Sequence, residues 1–169
     1  MKAIFAAFIL LPLSIFAQKS SLKSMLKFSD ADSSRTHASV SGKAFELMSY
    51  ASIDTFFTVE AMKLAKSIHG MEGYMDLSKS STEALFTKLE SSKSMEKYAG
   101  MTSQKQRFAI YVDEKDGVVN EVILAAIVNN EGLAASIYGN MDMRLLGELF
   151  KLVPYNQFKN MEQHKNDKK

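Results

Sequence analysis

Cysteine is absent from this chain of 169 residues. That excludes disulfides, thiolate metal sites and thiol nucleophiles together. Proline is scarce: Pro12 interrupts an N-terminal apolar run, and Pro154 ends the last helical pattern. An excess of one charge is also lacking, with 21 Lys and Arg against 19 Asp and Glu. A nucleic-acid partner calls for a clustered basic face or stripe, and only the tail from Lys159 to Lys169 is basic. That tail reads as a solvated end. No Gly-x-Ser-x-Gly elbow, Walker loop or dinucleotide fingerprint occurs. The acidic loop Asp113–Gly117 lacks the oxygen-ligand spacing of a calcium loop.

What is present starts at the N-terminus. Lys2 precedes the apolar run Ala3–Leu13, and Ser14-Ile15-Phe16-Ala17 leads abruptly into Gln18-Lys19-Ser20-Ser21. A positive start, a short apolar core and a small exit residue describe a secretory signal peptide. The run falls short of the roughly 20 residues that span a bilayer. Residues 1–17 are therefore expected to be cut off after Ala17, although Ile15 stands where a smaller residue is preferred. The product is expected to be periplasmic or secreted, with no stable membrane anchor. About 150 residues remain, enough to bury roughly two thirds of the unfolded surface in one core without staples.

Residues 18–35, rich in Ser, Lys and Asp, read as a flexible leader, with Leu22, Met25 and Leu26 at helical spacing for a turn or two. A single domain is expected over 36–153, followed by a flexible basic tail, 154–169. Within the domain, Thr36–Val40 suggests a short strand, and Ser41 a cap for a helix through Met48. Phe57, Ala61, Leu64 and Ala65 share one face of a helix from Asp54 to Lys66. Ile68–Leu77 reads as a strand in which Gly70 and Gly73 mark bulges or close approaches. Ser80-Ser81-Thr82-Glu83 has the form of a capping box, opening a helix that should reach the mid-nineties.

Three strands then alternate with tight turns over about 105–139. Phe108, Ile110 and Val112 lead to Asp116-Gly117; Val118–Val128 is apolar on both faces and so central; Asn129–Gly132 turns into Leu133–Gly139. Small residues in the third strand, Ala134, Ala135, Ser136 and Gly139, leave room for a helix. Asn140 or Asp142 caps a last helix with the stripe Leu145, Leu146, Leu149, Phe150 and Val153. The expected class is α+β: an antiparallel sheet including this C-terminal meander, with helices mainly on one face.

Five stretches carry a resemblance. They are Lys27-Phe28-Ser29, Ser39–Phe45, Gly73-Tyr74 ahead of a helix, Asp116–Val122, and Ile137–Asp142 leading into the leucine-rich helix. Over roughly Leu22–Leu152 the chain resembles the domain-of-unknown-function 4252 family, small exported proteins of Bacteroidetes. The resemblance implies an exported or lipid-anchored α+β domain with no established activity and no catalytic residue to carry across. Gln18 stands where a lipid-bearing cysteine would be needed.

Three residues are candidates for a site. Glu121 interrupts the central apolar strand. It is either a half-buried acid or base, or a residue that faces water or pairs with Arg107 or Lys105 across the hairpin. Tyr111 and Tyr138 lie on the flanking strands. They line a shallow ligand or peptide surface with Glu121, or pack at the edge of a core with wet hydroxyls. His37, His69 and His164 show no ligand spacing. The methionines, Met71, Met75, Met141 and Met143 among them, read as adaptable core filler rather than thioether ligands for copper.

No cofactor or metal is expected. The pattern favours a non-catalytic binding or accessory protein of the cell envelope that meets an envelope protein or a small ligand. A small hydrolase using Glu121 or a histidine is one alternative, and the resemblance implies the other, an envelope-stress sensor or regulatory element.

Overall fold

A computed structural model describes residues 20–50 and 59–144. Helix α1, Leu22–Met25, and a 3-10 turn, Asp30–Asp32, precede strand β1, Thr36–Ser41. Helices α2, Gly42–Tyr50, and α3, Val59–Ser67, lead into β2, Ile68–Ser78. Helix α4, Lys79–Ser91, is followed by β3, Met95–Thr102; β4, Gln106–Lys115; β5, Val118–Val128; and β6, Glu131–Asp142. The strands form one sheet in the order β1-β2-β6-β5-β4-β3, with every neighbouring pair antiparallel. This is the expected α+β class. The cleavage site, the last apolar stripe and the basic tail fall outside the described residues.

The tight turns follow from their residues. Asp116 (φ 55°) and Gly117 (φ 81°) join β4 to β5, and Asn129 (φ 54°) and Asn130 (φ 72°) join β5 to β6. Two successive positive φ angles make the turn whose twist matches the strands it connects. Asp142 accepts the backbone N–H of Arg144 at 2.9 Å; the body of the helix expected beyond it lies outside the described residues.

The helices divide between the two faces of the sheet, where the patterning places them mainly on one. Ala109 and Tyr111 of β4 join Ile123, Ala125 and Ala134, and with them Leu85, Phe86 and Leu89 of α4 and Leu22 of α1. The alternate residues Ile110 and Val112 join Val119, Val122, Ile137 and Met141, packed with Leu64 of α3 and Phe45 of α2. Both sides of β5 are therefore apolar because both are covered, as its composition requires.

Two glycines of β6 let elements come close. A Cβ at Gly132 would lie 1.8 Å from Thr82 Oγ1 of α4. A Cβ at Gly139 would lie 2.1 Å from the carbonyl oxygen of Ser67.

Three expectations need correction. Strand β3 replaces the end of the helix expected to reach the mid-nineties. It lies at the sheet edge and only Met95 is buried, so the strand carries no apolar alternation. Helix α4 is capped by Ser78, whose Oγ accepts the Ser81 N–H at 3.2 Å, rather than by Ser80. Glu83 instead turns outward to Arg107. The leader is also not a loose end over the described part, since Leu22, Leu26 and Asp32 are buried.

Candidate functional site

Glu121 sits on the central strand β5, opposite Asp113 of β4 and Tyr138 of β6. The pairing register shifts on both sides between Glu121 and Val119. Such a bulge re-aims a side chain. The carboxylate is buried and its oxygens meet hydroxyl and amide donors. Ser136 Oγ donates to Oε1 at 2.5 Å and Ser20 Oγ to the same oxygen at 2.9 Å. Ser21 donates its Oγ to Oε2 at 2.6 Å, and its backbone N–H lies 3.0 and 3.1 Å from the two oxygens.

Among the described residues no lysine, arginine or histidine forms an ion pair with Glu121. Arg107, a partner suggested by its place in the hairpin, lies opposite Ile127 and bridges Glu83 and Glu90 of α4. Its guanidinium also stacks over the Phe86 ring, 4.0 Å from the centroid. Glu121 is neither exposed nor salt-bridged. It is a carboxylate held by serines, and a buried charge tolerates that only when donors surround it.

A second carboxylate repeats the arrangement. Asp32 is fully buried. Its Oδ2 accepts the Ser29 N–H at 2.5 Å, Ser81 Oγ at 2.6 Å and Ser29 Oγ at 3.0 Å. Its Oδ1 accepts the Ser78 N–H at 2.6 Å. Burial alone pushes this carboxyl up. The donors, led by the Ser29 N–H and the Ser81 hydroxyl, outweigh burial and hold it well below the usual carboxylate range. Asp32 thereby ties the 3-10 turn to the end of β2 and the first turn of α4.

The three residues singled out from the sequence do not line one cavity. Tyr111 is buried beneath α4, and its hydroxyl lies 3.3 Å from Glu90 Oε1. Burial first, and then the Glu90 charge, raise its pKa to about 12. Tyr138 is Glu121's neighbour across the β5–β6 pair. Its hydroxyl fills the space over Gly70, where a Cβ would lie 2.4 Å away. Glu121 and Tyr138 are thus side by side, while Tyr111, opposite Ile123, belongs to the core.

An open cleft of about 550 Å³ lies elsewhere, lined by Ser41, Gly42, Lys43, Glu46, Lys66, Ile68 and His69. None of the three candidates reaches it. Among the described residues no three His, Asp or Glu side chains group as metal ligands.

The residues missed from sequence are the serines: Ser20 and Ser21 before α1, Ser29 and Ser78, Ser81 in α4 and Ser136 in β6. For Ser20, Ser21 and Ser29 the signal was the serine content of 18–35, which composition assigns to a loop. A carboxylate inside an apolar strand, with no cation beside it, was the complementary signal.

Residues 28–149 match a family described as a domain of unknown function, DUF4252. No curated protein and no solved structure matches the chain. The match includes Glu121, Ser136 and Asp32, and begins after the segment that carries Ser20 and Ser21.

Proposed function

The chain belongs to the DUF4252 family, and from that premise we propose that it is a non-catalytic binding or accessory protein of the cell envelope. One observation carries the reading. The buried carboxylate best placed for acid–base chemistry, Glu121, is engaged by Ser20, Ser21 and Ser136. A general base needs an open lone pair within reach of the proton it takes. Here those positions serve to hold another part of the chain. Export is supported by the apolar run from Ala3 to Leu13 behind Lys2.

The test has two parts. The purified exported chain is assayed on a panel of ester, phosphoester, glycosidic and peptide substrates, beside Glu121→Gln. No turnover is expected from either; turnover that disappears in Glu121→Gln would overturn the non-catalytic reading. N-terminal sequencing of the protein recovered from the envelope fraction should begin at Gln18. Recovery in the cytosol with Met1 intact would remove the envelope from the proposal.

A further inference from the structure

Residues 20–26 lie against the domain as a bound peptide lies in a groove. Ser20 and Ser21 place their donors on Glu121, and the Lys23 N–H donates to Glu72 Oε1 at 3.3 Å. In the other direction Lys88 Nζ donates to the Met25 carbonyl at 2.7 Å. Leu22 and Leu26 enter the core cluster with Leu85 and Leu89, and Met25 packs at its edge. Groups of both signs thus read the backbone of this segment, and an apolar socket reads its side chains. That is how a groove recognises a short helical peptide.

The groove and its occupant are separable in sequence. Glu72, Lys88, Glu121 and Ser136 all lie within the family match, whereas residues 20–26 precede it. The segment's bonds to Glu121 come from Ser20 and Ser21, while Asp32 fixes the chain independently a few residues further on. The contacts at Glu121 can therefore open without releasing the 3-10 turn.

We propose that the groove between α4 and the β5–β6–β2 side of the sheet is a peptide-binding site that this chain fills with its own residues 20–26. Its partner is a protein segment of the same chemistry: two serines or threonines, then an apolar residue, two variable positions and two apolar residues, folded as one helical turn. The partner displaces residues 20–26. This deepens the binding reading and rests on it. Its failure would be distinct, because it concerns the occupant of this groove and leaves the substrate panel untouched.

The probe is a fluorescein-labelled peptide with the sequence of residues 20–27. In the wild-type chain the tethered segment competes at an effective concentration on the order of millimolar, so the labelled peptide should bind weakly. Leu22→Ala in the full chain weakens the resident segment and leaves the walls intact. It should bind the peptide at least about tenfold more tightly than wild type, and adding Glu121→Gln should reverse that gain.

A folded Leu22→Ala chain that shows no saturable binding, or binds no better than wild type, overturns the proposal. If Leu22→Ala fails to fold, Ser21→Ala, which leaves the apolar socket filled, decides. It should raise peptide affinity about threefold, and an unchanged affinity overturns the proposal. A concentration-dependent wild-type dimer that Glu121→Gln abolishes also overturns it, because the groove would then take residues 20–26 of a second copy.

Discussion

Asp32→Asn should destabilise the fold by about 2–4 kcal/mol. Asp32 Oδ2 accepts three donors and Oδ1 accepts one, the Ser78 N–H at 2.6 Å. Asparagine retains a single acceptor oxygen. Its best orientation keeps that oxygen where three donors converge and turns its NH₂ toward the Ser78 N–H. A backbone N–H cannot reverse its polarity, so one charge-assisted bond is lost and a buried donor is orphaned. The bond counts for about 1.5–3 kcal/mol and the orphan for about 1–3. Relief from burying a charge offsets part of this.

The pH dependence is the sharper test. Asp32 has a folded-state pKa depressed below its ordinary value of 3.8. Its contribution is therefore complete above that ordinary value and is lost as pH falls below it, because the unfolded chain takes up the proton first. Urea unfolding of wild type and Asp32→Asn should give the largest difference near pH 7, and the gap should narrow below about pH 4. A difference under about 0.5 kcal/mol at pH 7, or one that stays constant down to pH 2, would refute the reasoning.

Gly132→Ala should cost roughly 1–3 kcal/mol in a thermal melt, since its Cβ would run into the buried Thr82; an unchanged midpoint would show that α4 can shift outward freely. Asn130→Gly should stabilise by about 0.5 kcal/mol, because Asn130 holds φ at 72° in a two-residue turn, and urea unfolding reads the sign. In an ultraviolet titration Tyr111 should ionise last, near pH 12. Its raised pKa means that its contribution to stability holds below the ordinary tyrosine value of 10 and is lost as pH climbs toward 12. Tyr111→Phe should remove that last phase while costing no more than about 1 kcal/mol, as its hydroxyl contact to Glu90 is long at 3.3 Å.

Where side chains alternate between two covered faces, local pattern and final structure agree. Strands β4, β5 and β6 and their two turns were legible for that reason: Ile123 and Val122 each find a different core. Gly70 was legible as a close approach, and the ring of Tyr138 makes it one. Strand β3 was hidden because an edge strand with a solvent-facing surface carries no apolar period. The cap of α4 was misplaced by two residues because Ser78, Ser80 and Ser81 are chemically interchangeable as caps. Only the demand of Asp32 for donors selects among them.

The site was legible in part. Glu121 stands out as an acid in a greasy strand, and Tyr138 is its neighbour. Two of its donors, Ser20 and Ser21, lie about a hundred positions earlier, where no local pattern connects them to it.

The strand order also imposes a schedule. Strands β3 to β6 are successive hairpins, each pairing with what has just been made. By contrast β2 finds its inner neighbour only in β6, some sixty positions later, with Gly73 beside Ala135. Closing so wide a loop is slow. During folding β2 therefore waits, with one flank uncovered, until β6 reaches it. Any chaperone that accompanies this protein has its work in that interval, and a truncation before Glu131 would extend the wait indefinitely.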